Sequence, residues 1–349
     1  MYKLQVILLD SKKISIWPFI ILVCFAGLFL SFQKMARHGR RKGYAAAPVS
    51  NNAPANRAPA LVYQHTRGNP KGIRLTGAHD MIIKGKNISG GPAPCIILNN
   101  CYNITIIHNK LSAPLQTGIS LYNCYNIKIK YNQFANVSTG VYAENVPRGR
   151  IIVNNNQFLN MQGPYPRGQC VQFNNVNGPG NEICFNKCEN IAGKSNPEDA
   201  INLYKSNGTA TKPIIVKGNR IRGGGPSRSG GGIMLGDNGG SYQIALDNIL
   251  VDPGQYGIAI SGGDRNAVVG NSIYGRAQPF TNVGLYVAGY NGAKCTNSTV
   301  KLNRVNYYNN NRKPNNSWTG PNTSKPTGWE TNTWGAHIGP KILPKILIY

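Results

Sequence analysis

The chain has 349 residues, 41 of them Gly, and sets 38 Lys and Arg against 12 Asp and Glu for a formal net charge of +26. Abundant Gly and Asn, with many Ile and Val beside few Leu, argue for strands and turns and exclude a helix-rich fold. Residues 1–47 hold 8 of the bases and 1 of the acids, so +19 remains on the body; that surface draws polyanions through its long-range field.

Residues 14–32, ISIWPFIILVCFAGLFLSF, carry no charge and are long enough to cross a bilayer core of about 30 Å as a helix. Ala45, Ala46 and Ala47 lie far beyond the end of this run, with Pro48 following, so an uncleaved signal anchor is expected over 1–34. Cleavage, or a start at Met35, stays open. Lys34, Arg37, Arg40, Arg41 and Lys42 follow the run and only Lys3, Lys12 and Lys13 precede it, which the positive-inside rule reads as a cytoplasmic body. Against that, the expected location is membrane-anchored or secreted with the body outside the cytoplasm. Residues 35–61, rich in Ala, Pro, Asn and bases, read as a flexible linker.

From there a period sets in. A small residue followed by apolar, any, apolar begins at Gly72, Cys95, Gly118, Gly140, Cys170, Ala200, Gly232, Gly257 and Gly284. A second short strand in each period ends in Asn, any, apolar, with Asn109, Asn132, Asn156, Asn219, Asn248, Asn271 and Asn303 in that place; the stretch Ile183 to Cys188 fits poorly. Two or three short strands per 22 to 32 residues suit a β-solenoid. The prediction is all-β: a right-handed parallel β-helix of about nine coils over 62–310, preceded by one N-terminal hydrophobic helix and followed by a cap or tail over 311–349. Another Asn series stands five residues after the coil starts, at Asn100, Asn123, Asn145 and Asn175, and reads as a structural ladder. Seven Cys remain outside the apolar run, without CxxC spacing; they read as small buried residues and not as metal ligands.

These repeats resemble the right-handed parallel β-helix repeat group of the pectate lyase-like superfamily, over approximately residues 62 to 310. The segment PEDAINLY, residues 197–204, is similar to the acidic strand starts of polygalacturonase-like hydrolases and some pectate lyases. The resemblance implies a polysaccharide substrate and an acidic pair at the edge of the binding sheet. The further acidic motifs of polygalacturonases are absent.

The longest coils gain their extra residues at one place, as NMQGPYPRGQ, GKSNPED and RGGGPSRSGG. Insertions on one edge of consecutive repeats build a wall beside one sheet, commonly the binding face. Outward positions on that sheet supply substrate-binding candidates: Tyr122, Tyr142, Gln172, Asn174, Asn202 and Tyr204, with Arg148 and Arg167 adding positive charge. Hydrogen-bonding groups interleaved with Tyr rings suit a sugar chain; Tyr is also simply a good exposed strand former.

With so few acids, the catalytic candidates are Asp199, Glu198, Glu144 and Asp237, together with Lys205. Hydrolysis would use two carboxyls; elimination on a uronate would use a base with cations at the enolate-like state and matches the net charge better. Lys205 and Asp237 share the fifth position of neighbouring coils, which predicts an ion pair. No metal site is expected from the five His, and no cofactor is certain; calcium would draw on Glu198, Asp199 and Asp237. The expected partners are an acidic polysaccharide and, through the N-terminal segment, a membrane; nucleic acid is not expected, since no recognised motif accompanies the charge. The competing reading is a noncatalytic glycan-binding, adhesive or fibre-like solenoid.

Overall fold

The computed structural model describes residues 61–62, 72–89, 91–113 and 115–348. The expected membrane anchor and nearly all of the linker lie outside them. Among the described residues no helix is long and apolar enough to cross a membrane.

Successive coils give strands to three parallel sheets, each running through ten successive strands, with Gly263–Asp264 and Cys295–Thr296 added beside the first. The tenth coil exceeds the expected nine. It arises because the chain past residue 310 keeps pairing: Ser317–Thr319 joins the first sheet beside Val283–Val287, and Thr333–Trp334 joins the third beside Arg304–Tyr307.

The apolar-any-apolar signature produces the first sheet. Alternation sends one set of side chains inward, and Ile96, Ile119, Val141, Val171, Ile201 and Ile233 stack in register with no more than 2% of their surface exposed. Each such side chain contributes roughly 1.5–3 kcal/mol of burial.

The Asn series after the second strand forms a continuous internal ladder. Asn132 Nδ2 donates to Asn156 Oδ1 at 3.1 Å and Asn156 Nδ2 to Asn186 Oδ1 at 3.1 Å. Asn186 in turn donates to Asn219 at 3.0 Å, and Asn303 donates to Asn332 at 2.8 Å. The coil around Ile183 to Cys188 therefore obeys the rule it was expected to break, with Cys188 standing where other coils place Leu, Ile, Val or Phe.

The second Asn series sits in left-handed turns after the first sheet, with φ of 54° at Asn100, 50° at Asn123, 51° at Asn145 and 56° at Asn175. Asn tolerates that conformation better than most residues. Cys170 is bridged to Cys188 by a disulfide, which ties the first sheet to the third; the small buried residue expected at position 170 is also a crosslink. Cys95, Cys124 and Cys184 are buried free thiols, pushed up to about 11 by loss of hydration.

Candidate active site

The first sheet presents two outward rows. One carries Ser120, Tyr142, Gln172, Asn202, Met234, Ala259, Tyr286 and Trp318 in register. The other carries Tyr122, Glu144, Asn174, Tyr204 and Asp237. In the middle of the first row Asn202 and Met234 are nearly covered although they point away from the core. Met234 packs in one cluster with Tyr256, Ala259 and Tyr286, and Tyr256 in turn lies against Gly231 of the RGGGPSRSGG insertion, where a Cβ would come within 2.6 Å of the ring.

Under this cover two carboxyls meet. Asn202 Nδ2 donates to Asp199 Oδ2 at 2.8 Å and to Asp237 Oδ2 at 2.9 Å, so those oxygens are no farther apart than the two arms together, about 5.7 Å. Asp199 Oδ1 accepts the backbone N–H of Gly231 at 2.9 Å and the hydroxyl of Tyr256. Burial raises Asp199 to about 7 against these hydrogen bonds. Asp237, half-buried, is raised as well, chiefly by burial. Asn202 Oδ1 is buried without a hydrogen-bond partner.

Aromatic rings close one side. Tyr256 meets Tyr286 edge-on at 5.3 Å, and Tyr286 is in turn 6.2 Å from both Tyr290 and Trp318, each about 42% exposed. Tyr286 and Tyr256 are held strongly protonated by burial, with the charge of Asp199 adding to the effect. Composition offered no signal for Tyr256, Tyr286 or Trp318 as site residues, because they come from coils beyond the insertion-bearing ones; Tyr256 reaches Asp199 through its hydroxyl, and Tyr286 and Trp318 follow through ring contacts.

The other predicted residues divide. Tyr142, Gln172 and Arg167 come together: the Arg167 guanidinium lies 3.8 Å over the Tyr142 ring and donates to Gln172 Oε1 at 2.9 Å. Asn174 donates to the Tyr142 hydroxyl at 2.7 Å and to Glu144 Oε1 at 3.4 Å. Glu144 stands three coils from Asp237 in the same row, about 14 Å at the usual strand spacing, so it does not join the pair. Glu198 turns to the wall and accepts from Ser229 Oγ at 2.5 Å, and among the described residues no group of three or more Asp, Glu, His or Cys side chains is placed to hold a metal ion. Arg148 lies over Tyr125 on the second sheet, 5.2 Å from the ring centre, away from this face. Tyr122 is exposed on the outer row.

The predicted Lys205–Asp237 ion pair is absent among the described residues. A register shift between Asn202 and Tyr204 sets Asp237 opposite Tyr204. The extra residue puts Asn238, φ 55°, into the left-handed turn series instead of Asp237. Lys205 lies 5.4 Å over the Tyr204 ring, and Asn238 donates to the Tyr204 hydroxyl at 2.8 Å.

Acids elsewhere are held by the framework. In a cavity of about 530 Å³ beneath the C-terminal tail, Glu189 accepts the backbone N–H groups of Leu347 and Ile348 and faces Arg222, while Asp252 pairs with Arg276.

A sequence family described as "Right handed beta helix region" matches residues 62–189. No curated protein matches the chain. Among solved structures, the catalytic domain of a GH87 alpha-1,3-glucanase in complex with tetrasaccharides is similar at 13% identity and a TM-score of 0.40, over 74% of this chain and 50% of that one. The chain thus spans half the length of that structure. Three parallel sheets and the Asn ladder make the described body a parallel β-helix, similar over residues 62–189 to the right-handed β-helix family.

Proposed function

We propose that the outer face of the first sheet binds a polysaccharide strand and that Asp199 and Asp237 hydrolyse it. The observation behind this reading is the carboxyl pair joined through one amide, both members raised by burial, on a sheet face walled by insertions and edged with Tyr and Trp rings. Two carboxyls about 5–5.5 Å apart are the arrangement of retaining glycoside hydrolysis, whereas inverting pairs stand roughly 6.5–9.5 Å apart. In this scheme Asp199, neutral below about pH 7, gives its proton to the departing glycosidic oxygen as the bond breaks. Asp237 as carboxylate attacks the sugar carbon, and a water that loses its proton to Asp199 then releases the sugar. Asn202 Oδ1 offers an acceptor for a sugar hydroxyl. Arg167 and Lys205, each laid over a Tyr ring on the same face, suit a sugar that bears a carboxylate.

Hydrolysis is preferred here to elimination because neither cation bonds to the pair. A second reading, a noncatalytic glycan-binding solenoid, draws on Asp199 itself: three donors already occupy its two oxygens. The test incubates the full chain with polyuronates and neutral glycans, with and without calcium, following reducing ends and unsaturated-product absorbance together. Reducing ends lost in Asp237→Asn support hydrolysis. Absorbance gain overturns it in favour of a lyase, and glycan retention without products moves the assignment to a binding module.

A further inference from the structure

The solenoid has several columns of left-handed turns, and two of them differ in composition. After the first sheet the column is largely Asn. Between the second and third sheets the place is Gly85, Asn155, Gly218, Asp247 and Gly270 in five coils, all residues suited to a positive φ, but His108, Tyr131, Phe185 and Leu302, with φ between 56° and 59°, in the other four. Bulky side chains are disfavoured in that conformation, and residues held there against preference point to function. Tyr131, Phe185 and Leu302 are also 51%, 54% and 60% exposed, so burial in the core does not account for them.

At four of nine coils in each of two rows the flanking position is cationic. Just before the turn, one register row carries Lys84, Lys130, Lys217 and Lys301. Just after it, another carries Lys110, Lys187, Arg220 and Arg304. Of these only Lys217 has an ion-pair partner among the described residues, Asp247 at 4.0 Å. From Lys84 to Lys301 the strip crosses eight coil steps, about 38 Å.

We infer that this edge lies on an anionic membrane surface, its lysines at lipid headgroups and Tyr131, Phe185 and Leu302 entering the interface. Clustered bases attract acidic lipids, and aromatic and Leu side chains beside them partition into the boundary. A polymer fits less well. His108 and Tyr131 stack on each other at 5.4 Å and Phe185 lies over Gly218, so one face of each ring that bases or sugars would use is covered, and Leu302 has no ring.

The test uses the full chain carrying Phe185→Trp, mixed with vesicles of phosphatidylcholine alone or with phosphatidylserine, in lipids with brominated acyl chains. The apolar N-terminal run is expected to enter both vesicles, so the readout is local: the quenching that Phe185→Trp adds over the parent chain. That added quenching is expected only with phosphatidylserine. Lys110→Gln, Lys130→Gln, Lys187→Gln and Lys217→Gln together should weaken it roughly several-hundredfold, at about 1 kcal/mol per base. Tyr131→Asn with Leu302→Asn should also weaken it while melting no lower than the parent, since Asn suits a positive φ. Equal quenching in neutral vesicles overturns the inference, as does full quenching in the Asn variant. Heparin or oligothymidine bound with the same losses in both variants, and no added quenching in either vesicle, assigns the edge to a soluble polyanion instead.

Discussion

Asp199 and Asp237, 38 residues apart in sequence, hold the same nitrogen, Asn202 Nδ2, at 2.8 and 2.9 Å. Burying both on one amide disfavours their ionised forms, and burial is the leading cause of the rise at each.

The first consequence is a stability profile. Asp199 titrates near 3.8 when unfolded and about 7 when folded, so between those values the folded state holds a proton that the unfolded state releases. Its contribution is complete below about pH 4 and is lost as pH rises to 7. At 1.36 kcal/mol per pH step this approaches ~4 kcal/mol, and Asp237 adds in the same direction. Urea unfolding from pH 4 to 8 should show the decline. Asp199→Asn should flatten it: the variant starts lower, because one N–H must face another, and overtakes the parent as pH rises. A parent curve that is level from pH 4 to 7 would contradict the assignment.

The second concerns rate. If Asp199 is the general acid, activity falls on the alkaline side with an apparent pKa near 7. Asp237→Asn should lower kcat by at least ~1000-fold with substrate binding retained, since an amide neither attacks nor takes a proton. Initial rates from pH 4 to 9, read beside glycan retention, check both; an alkaline limb unchanged in Asp199→Asn removes that residue from the chemistry.

The fold was legible because its rules are local and repeated. Gly118-Ile-Ser-Leu announces an inward Ile and Leu by alternation alone, and Asn109, Asn132 and Asn156 announce a ladder by their recurrence. The site was half legible. Asp199, Asn202 and Asp237 stood out as polar residues on the walled sheet. Their pairing depends on a one-residue register shift near Gly236, where φ is 64°, and counting along regular coils cannot reveal it; the same shift misassigned Lys205 to Asp237. Tyr256, which reaches Asp199 across 57 residues, and the bridge from Cys170 to Cys188 depend on how coils stack, which no single period encodes.

The ladder itself should be costly to break. Asn156 is 1% exposed; its amide donates to Ile129 O at 2.9 Å, and its oxygen accepts the Asn132 backbone N–H at 2.9 Å. Asn156→Leu would leave those two groups of the preceding coil buried and unpaired. With roughly 1–3 kcal/mol for each unsatisfied group, a loss of about 3–5 kcal/mol is expected in chemical denaturation. Asn123→Ala, which removes a bond from the exposed ladder at 2.8 Å, should cost only about 1 kcal/mol.

Glycine at the coil starts separates space from conformation. Gly140 has no positive φ, yet a Cβ there would stand 2.4 Å from Cys170 O and 2.5 Å from the Phe158 ring. Phe158 is fully buried and stacked on Phe134 at 4.6 Å, so neither the carbonyl nor the ring has room to retreat. Gly77 is the reverse: its φ is 66°, and nothing lies within 4 Å of the added atom. Gly77→Ala should therefore lose only about 1–2 kcal/mol, the backbone cost of a left-handed L-residue. Gly140→Ala must push two coils apart against a close-packed interior and should lose at least ~3 kcal/mol. Equal midpoint shifts for the two variants in urea would mean that the coil spacing at Gly140 is not set by this contact.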